Sequence, residues 1–215
     1  MVGLIDSRAG PSFIHENILM ERYGAPIAGI DEAGRGPWAG PVVAAAVILD
    51  ARCIPAGLND SKKLSASARE TLFTAIMAQA HVGVGIADIA RIDQDNILQA
   101  TLWAMGQACI ALPKTPAAAL IDGNRSPSLP CPTETLVKGD ALSLCVAAAS
   151  IIAKVTRDRI MVELAISHPG YAWERNKGYG TRDHADGLQR HGVTPHHRRS
   201  FKPIQTILSQ KAGED

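Results

Sequence analysis

The chain has 215 residues, of which 46% are hydrophobic and 20% are charged. This is the composition of a folded globular protein and argues against a disordered or fibrous one. The 22 basic and 21 acidic side chains give a formal net charge of +1, so any nucleic-acid ligand must be held by a local cluster of charge. Aromatic residues make up only 4%, which argues against a single-strand binder built on base-stacking platforms.

The sequence shows no pattern of a membrane span or a signal peptide. Its longest apolar run, Val42 to Leu49, has eight residues, far short of the roughly 20 that a membrane helix needs. Residues 1–24 are rich in charged side chains and lack the apolar stretch of a signal peptide. The four cysteines are widely spaced without a CxxC pair, which favours reduced thiols over a disulfide or a zinc site. We therefore expect a cytoplasmic protein that does not bind membranes.

The first elements of the chain are predicted to be two strands. Residues 1–24, interrupted by Gly10 and Pro11, are expected to form a loosely structured lead-in. Two apolar runs follow, Pro26–Ile30 and Val42–Leu49. The segment between them is rich in glycine and proline, which predicts a tight connection between paired strands.

Helical and strand patterns then alternate along the chain. Ser65 is a predicted N-cap for a helix over Ala66–Ala80. Alternating apolar residues predict a strand over His81–Ala87, and an apolar stripe predicts a helix over Asp93–Leu112. Two short strands and one long helix complete the pattern, over Ala117–Ile121, Thr133–Val137 and Ala141–Ile166. This order of elements indicates an α/β domain with a mixed sheet, which we place at residues 25–170.

The C-terminal portion, residues 171–215, differs from the rest in charge. Between Arg175 and Lys202 lie seven basic and two acidic side chains, a local net charge of +5 in a chain whose total is +1. We expect a basic helical extension packed on the same domain, and a solvated basic face without a ligand is the alternative. The adjacent His196 and His197 lack the spacing of metal ligands and are interpreted as hinge or packing residues.

Isolated acidic residues follow three of the predicted strands. Asp31 and Glu32 follow the first, Asp122 the fourth and Asp140 the fifth. Ligands of open α/β sheets gather outside strand ends, and converging carboxylates repel one another unless a cation neutralises them. Hard oxygen ligands suit Mg²⁺ or Mn²⁺. Two such ions can activate a water and stabilise the leaving oxygen in an in-line phosphoryl displacement.

Each acid also has an alternative explanation. Asp122 with the following glycine is a common turn dipeptide, and Asp140 can cap the helix that follows it. Asp31 and Glu32 would point to opposite faces of a regular strand, so both reach one site only if the strand ends there. The spacing alone does not identify an enzyme.

Six sequence blocks occur in the order of a known family, from Ile27 to Phe201: IAGIDEAGRGPWAGPVVAAAVIL, NDSKKLS, LIDGN, VKGDALSLCVAAASIIAKVTRD, NKGYGT and HHRRSF. On these blocks the chain resembles bacterial ribonuclease HII, the type 2 ribonuclease H. The resemblance implies an RNase H-like mixed central sheet flanked by helices, with a small helical C-terminal extension. It implies an endonuclease that uses two Mg²⁺ or Mn²⁺ ions to hydrolyse the RNA strand of RNA–DNA hybrids. It also implies incision of duplex DNA 5′ of single embedded ribonucleotides, leaving a 5′-phosphate and a 3′-hydroxyl, as in ribonucleotide excision repair.

The resemblance also assigns roles to individual residues. The family's catalytic, metal-binding acids fall on Asp31, Glu32, Asp122 and Asp140. Its glycine–arginine–glycine motif falls on Gly34, Arg35 and Gly36, which are expected to contact the 2′-hydroxyl and the neighbouring phosphate. A backbone without a side chain can approach the sugar closely, and the 2′-hydroxyl distinguishes RNA from DNA. Tyr179 is implied to stack on the deoxyribose that follows the ribonucleotide, and Lys62 and Lys63 to contact phosphates.

A two-ion mechanism follows as a hypothesis. One ion held by Asp31 and Asp122 would orient the attacking water. A second ion, sharing Asp31 and held by Glu32 or Asp140, would stabilise the departing 3′-oxygen. Without the resemblance, Tyr179 is a loop aromatic packed on the body of the protein, and Lys62 and Lys63 are a solvated pair.

Three other functions are open to the same sequence. Ribonuclease HIII carries an additional N-terminal domain, for which residues 1–24 are too few. A junction resolvase with an RNase H fold would share the acids but has no need of the GRG and KGYGT blocks. A non-catalytic module that binds RNA–DNA hybrids would need no carboxylate cluster, since carboxylates repel the phosphate backbone. We expect an enzyme that binds RNA–DNA hybrid and ribonucleotide-containing duplex DNA as a monomer, with no obligate protein partner.

Overall fold

The computed structural model describes residues 10–211, which are organised around one five-stranded sheet. The strands are β1 (Ile27–Ala33), β2 (Val42–Ile48), β3 (His81–Ala87), β4 (Ala118–Asp122) and β5 (Thr133–Leu136). Their order across the sheet is β3-β2-β1-β4-β5. β1, β2 and β3 pair antiparallel, whereas β4 pairs parallel to both β1 and β5. The sheet is therefore mixed, as the sequence predicted.

Helices cover both faces of this sheet. They are α1 (Ile14–Tyr23), α2 (Ala66–Gln79), α3 (Ile89–Ile110), α4 (Gly139–Leu142), α5 (Leu144–Ser167), α6 (Trp173–Asn176), α7 (Arg182–His191) and α8 (Lys202–Lys211), with a 3₁₀ turn at Ser61–Lys63. α3 packs on one face of the sheet, and α2 and α5 pack on the other. Of the described residues, no helix is both long enough and apolar enough to span a membrane.

The central strand β2 shows why the sequence contains an uninterrupted apolar run. Ala44 and Ala46 pack in the core under α3, whereas Ala45 and Val47 pack in the core under α5. Successive side chains of a strand point to opposite faces, and all seven residues of β2 are buried. A strand covered on both faces has no polar side and therefore loses the usual alternation.

A glycine in β1 sets the position of α5. A Cβ on Gly29 would collide with the backbone of Cys145 and Val146 in the first turn of that helix. The start of α5 is therefore in backbone contact with β1, two residues before Asp31. This contact brings the segment from α4 to α5 against the end of β1 where the acidic residues lie.

The expected loose lead-in is wrong for residues 14–23, which form α1; residues 1–9 lie outside the described part of the chain. The sequence pattern did not indicate a helix here, because Ile14 and Ile18 are exposed while the charged residue Glu16 is buried. The carboxylate of Glu16 accepts hydrogen bonds from Ser143 Oγ at 2.6 Å and from Cys145 N at 2.8 Å. These contacts cross more than 100 residues of chain, so a local pattern does not reveal them.

The predicted helix over Ala141–Ile166 is divided in two. Ser143 has extended backbone between α4 and α5, and its hydroxyl accepts a hydrogen bond from Val146 N at 3.2 Å. A serine in this conformation caps the following helix. The helix predicted from Asp93 begins earlier, at Ile89, because Asp88 caps it, and it is kinked at Asn96, where φ is 69°.

The C-terminal region is helical and has its own small core. Tyr171, Trp173 and Leu188 pack there with Ala39 from the β1–β2 connection and Met161 from α5. His197 is fully buried, which confirms its interpretation as a packing residue. This core attaches the C-terminal helices to the connection that follows the first two acids.

Candidate active site

Three of the four predicted acids lie where two parallel strands end side by side. The pairing of β1 with β4 ends at Ile30 and Ile121, and Asp31, Glu32 and Asp122 follow directly. β1 does not stop at Glu32 as expected, because its pairing with β2 continues to Ala33. Asp31 and Glu32 nevertheless line the same cleft, since the neighbouring strand β4 no longer pairs alongside them.

The fourth acid, Asp140, lies on the short helix α4, which follows β5 after a sharp turn. Lys138 has left-handed backbone, with φ 61°, and leads into the short helix α4 that carries Asp140. The amide of Gly139 donates a hydrogen bond of 2.7 Å to Asp122 Oδ1. This bond ties the end of β4 to α4 and places Asp122 and Asp140 next to each other.

Each of the other three carboxylates also has a defined partner. Asp31 Oδ1 accepts a hydrogen bond from Glu32 N at 2.7 Å, and Glu32 Oε1 lies 3.4 Å from Arg35 Nη1. Asp140 Oδ2 lies 3.8 Å from Lys62 Nζ. Within residues 10–211, no three acidic, histidine or cysteine side chains already enclose a common point as metal ligands would.

Burial and neighbouring negative charges raise the pKa values of three of these carboxyl groups. Burial raises the pKa of Asp31 well above its usual range, and the charges of Glu32 and Asp122 raise it further. Burial also raises the pKa of Glu32, although Arg35 opposes the shift. Burial and the charge of Asp122 raise the pKa of Asp140 to about 6. A bound cation would relieve this repulsion, and a set of carboxylate oxygens is the donor chemistry that Mg²⁺ and Mn²⁺ prefer. The donor chemistry of the four acids therefore suits a divalent cation, whose binding would draw the side chains together from the positions described above.

The predicted ribonucleotide-reading residues line the same cleft, whose volume is about 340 Å³. Gly34 has a φ of 100°, which favours glycine. A Cβ on Gly36 would lie 3.5 Å from Cε1 of Tyr179, a residue that is 47% exposed. The glycine loop and an exposed aromatic ring thus face each other beside Asp31 and Glu32.

The two predicted lysines are placed differently. Lys62 lines the cleft close to Asp140, whereas Lys63 is exposed on the same turn and does not line it. The basic C-terminal cluster also needs a correction. Arg198, one of its seven basic residues, is fully buried and bonded to backbone carbonyls, so its charge is not available to a phosphate.

Several residues of the cleft escaped the sequence prediction. Lys154 and Arg157 line it from α5, and Asn124 and Arg125 line a smaller pocket of about 90 Å³ beside Glu32. Lys154 and Arg157 are three residues apart, a spacing that places both on one face of a helix. Two basic residues at that spacing, directly after the largely apolar first half of α5, are the signal that could have revealed them.

Comparison with known proteins decides the family. Residues 28–204 match the family model of ribonuclease HII. The chain belongs to the ribonuclease HII family. A ribonuclease HII from Azorhizobium caulinodans is 54% identical over 201 residues, which cover 94% of this chain and 78% of that protein. One from Cereibacter sphaeroides is 55% identical over 206 residues, covering 95% and 97%.

A solved structure agrees with the sequence comparison. The ribonuclease H2 from Pyrococcus horikoshii OT3 superposes with a TM-score of 0.74 at 27% identity, and the match covers 86% of this chain and 97% of that one. The resemblance to ribonuclease HII and the RNase H-like fold are therefore confirmed. This ribonuclease HII family member is a metal-dependent endonuclease of the hydrolase class that acts on RNA–DNA hybrids.

Proposed function

We propose that this protein cleaves the RNA strand of hybrids and also incises duplex DNA 5′ of a single embedded ribonucleotide, leaving a 5′-phosphate and a 3′-hydroxyl. One observation carries the proposal. Asp31 and Glu32 line the same cleft as Gly34, Arg35, Gly36 and Tyr179. Carboxylates suited to hold metal ions beside a phosphodiester thus lie next to a loop suited to read a sugar.

The catalytic centre in this proposal consists of Asp31, Glu32, Asp122 and Asp140, holding two Mg²⁺ or Mn²⁺ ions. When bound, such ions activate a water and stabilise the departing 3′-oxygen. The protein supplies oxygen donors on rigid elements, since two acids belong to β1, one ends β4 and one lies on α4. Burial raises the pKa values of Asp31, Glu32 and Asp140, and neighbouring carboxylates raise them further. These shifts support the role, because a bound cation stabilises the charged form of each carboxylate.

Recognition of the ribonucleotide is assigned to the GRG loop and Tyr179. The absence of a Cβ at Gly36, where it would face Tyr179, lets a sugar approach the backbone closely, whereas Gly34 is required by its φ of 100° and by Arg157 behind it. A 2′-hydroxyl can both donate to and accept from such a backbone. The guanidinium of Arg35 is half exposed beside Glu32, in position for the adjoining phosphate. The exposed ring of Tyr179 offers a flat surface for the next deoxyribose.

Phosphate contacts along the backbone of the duplex complete the proposal. Lys62 and Lys154 line the cleft, and Lys63 follows Lys62 on an exposed turn. Basic side chains bind the phosphate backbone without sequence preference, and this binding weakens with salt. Such contacts suit an enzyme that reads one hydroxyl group rather than the edges of the bases.

The cellular role that we propose is removal of ribonucleotides from DNA in the cytoplasm, by a monomer that needs no obligate protein partner. The reaction itself supports this role. Incision on the 5′ side of a ribonucleotide leaves a 3′-hydroxyl, the group from which a DNA strand is extended.

The test is cleavage of a labelled DNA duplex that contains one ribonucleotide, with Mg²⁺, with Mn²⁺ and with EDTA. An all-DNA duplex of the same sequence and a long RNA–DNA hybrid are the matched substrates. We expect metal-dependent incision 5′ of the ribonucleotide and no cleavage of the all-DNA duplex. Cleavage of the long hybrid alone would contradict the roles of Tyr179 and the GRG loop. Binding of the hybrid with no cleavage of either substrate would instead support a non-catalytic module.

A further inference from the structure

Two buried arginines lie directly behind the GRG loop. Arg157 on α5 is 1% exposed, and Arg198, which precedes α8, is fully buried. Within residues 10–211 neither guanidinium forms an ion pair with a carboxylate. Their hydrogen bonds go to backbone carbonyl oxygens instead, and these carbonyls belong to the two loops that form the cleft.

Arg198 binds the GRG loop at both ends of the connection between β1 and β2. Its Nη1 donates to Arg35 O at 3.0 Å, and its Nη2 donates to Gly34 O at 2.5 Å. Its Nε donates to Gly40 O at 2.9 Å. One side chain therefore fixes the carbonyls of two consecutive residues of the GRG motif.

Arg157 links the same connection to the loop that carries Tyr179. Its Nε donates to Pro41 O at 2.9 Å and its Nη2 to Ala39 O at 3.1 Å, while its Nη1 donates to Lys177 O at 3.0 Å. A Cβ on Gly34 would collide with the Arg157 side chain. Arg157 thus contacts both walls of the cleft from behind.

Because the peptide bond is planar, the carbonyl contacts of Arg198 also determine where the neighbouring amide groups point. In a trans peptide the C=O and the next N–H point in opposite directions. Because Gly34 O and Arg35 O point to Arg198, the amides of Arg35 and Gly36 point away from it. That direction leads to the cleft, which Arg35 and Gly36 line.

We infer that Arg198 and Arg157 are positioning residues for ribonucleotide recognition. Arg198 aims the amides of Arg35 and Gly36 at the sugar, and Arg157 holds the Tyr179 loop at a fixed distance from them. This inference rests on the proposed recognition of a ribonucleotide by the GRG loop. Arg198 does not line the cleft and Arg157, which does, is only 1% exposed, so both arginines act through the backbone that they bind.

Arginine is suited to this role and lysine is not. The guanidinium presents five N–H donors in a rigid planar fork, whereas a lysine ammonium is a single compact charge on a flexible stem. Arg157 and Arg198 each bind three or more carbonyls at once. Replacement by lysine therefore keeps the positive charge but loses most of the bonds that orient the loop.

The test measures binding preference in the inactive Asp31→Asn background. Affinities are determined for a duplex with one ribonucleotide and for the all-DNA duplex, with Arg198→Lys, Arg157→Lys and the control Arg159→Lys. Arg159 lies on the same helix but is half exposed and paired with Glu70. We expect Arg198→Lys to reduce the preference for the ribonucleotide about tenfold, with unchanged affinity for all-DNA duplex. We expect a smaller loss for Arg157→Lys and none for Arg159→Lys.

The alternatives give different results. A merely structural role would lower both affinities equally, and an unchanged preference in a folded Arg198→Lys protein would also overturn the inference. If the parent itself shows no preference for the ribonucleotide, the proposed recognition fails and the inference fails with it. If neither arginine variant folds, hydrogen exchange on the parent decides. The amides of Arg35 and Gly36 should exchange more slowly with the ribonucleotide duplex than with the all-DNA duplex, and equal exchange would contradict the inference.

Discussion

Two regions of the molecule gather titratable side chains, and they do so in opposite ways. At the end of the sheet, four acids of like charge lie close together, with Asp31 and Glu32 on the cleft and Asp122 and Asp140 beside it. In the C-terminal core, His184 and His197 are buried against Tyr171 and Trp173. The negative charges of the acids repel one another, whereas the two histidines are hydrogen-bonded to each other.

The histidines form an ordered chain of neutral groups. His197 Nδ1 accepts from Thr194 N at 3.0 Å, so its other nitrogen carries the proton and faces His184 Nε2 at 3.0 Å. His184 Nε2 also accepts from Trp173 Nε1 at 3.1 Å. His184 Nδ1 then donates to Tyr179 O at 3.0 Å. Burial and the neighbouring His184 together lower the pKa of His197 to about 3. A buried cluster in which every group has a partner indicates a structural role, and a strained cluster on a cleft indicates a functional one.

The largest expected effect comes from removing one charge from the strained cluster. Asp31→Asn should reduce cleavage by at least about a hundredfold, since the variant lacks one of the proposed metal ligands. Its free energy of unfolding should not fall, because burial disfavours the Asp31 charge and the amide oxygen can still accept from Glu32 N. Steady-state cleavage and urea unfolding measure the two effects. Asp50→Asn, an exposed acid paired with Arg52, is the control, and loss of stability in Asp31→Asn would contradict the comparison.

Acid should affect the two clusters with opposite sign. His197 has a folded pKa of about 3 and an unfolded pKa of about 6.5. The unfolded state therefore takes up the proton first, and stability is lost as the pH falls below about 6.5. The slope is about 1.4 kcal/mol per pH unit, or about 2 kcal/mol by pH 5. The acids have raised pKa values in the folded state, so their contribution increases as the pH falls through the folded pKa, about 6 for Asp140.

Urea unfolding between pH 7 and pH 5 in EDTA separates these contributions. His197→Asn should flatten the loss of stability in acid, since its amide oxygen can accept from Thr194 N but does not titrate. Asp140→Asn should steepen the loss, because the compensating acid is gone. Parallel pH profiles for the parent and His197→Asn would show that the histidine cluster is not a source of the acid sensitivity.

Tyr179 contacts both the buried histidine cluster and the cleft beside the acids, so a change at this residue tests the difference between them. Its carbonyl belongs to the histidine chain, while its ring is exposed at the cleft. Tyr179→Ala should lower cleavage of the single-ribonucleotide duplex about tenfold with little change in unfolding free energy. Long hybrids should be affected less. The exposed Tyr23 on α1 provides a matched Tyr23→Ala control, and equal losses on both substrates would remove the junction role.

The smallest expected effect distinguishes two adjacent lysines. Lys62→Ala should raise KM about threefold at low salt, with a weaker effect at high salt, because one phosphate contact near Asp140 is lost. Lys63→Ala should change KM less, since Lys63 does not line the cleft. Cleavage assays over a range of salt concentrations compare the two variants. A larger effect for Lys63 would place the duplex on the other side of the turn.

The parts of the fold that sequence predicts well are those with local causes. Ser65 caps α2 as expected, with its side chain accepting from Ala68 N at 3.2 Å, and the apolar run of β2 forms the central strand. The four acids were found because each follows a strand. Tyr179 and the GRG loop were named from family resemblance, and their shared cleft became visible only in three dimensions.

The parts that sequence misses depend on distant partners. Glu16 is buried because Ser143 and Cys145 bind it across more than 100 residues. Arg198 looks like one member of a basic surface, yet its bonds to Gly34 and Gly40 cross more than 150 residues. Periodicity and capping rules describe only neighbours in the sequence. They show that Arg198 is basic but not that its side chain points into the protein.

Helix α5 contacts the sheet beside the acids and also contacts the connection that carries the GRG loop, at two points a fixed distance apart. Its first turn rests on Gly29 at Cys145, beside the acids, and Arg157 lies three turns further along behind the GRG loop. Twelve residues at about 1.5 Å each span about 18 Å. The helix therefore holds the backbone contact beside the acids and the guanidinium behind the GRG loop at a fixed separation from each other.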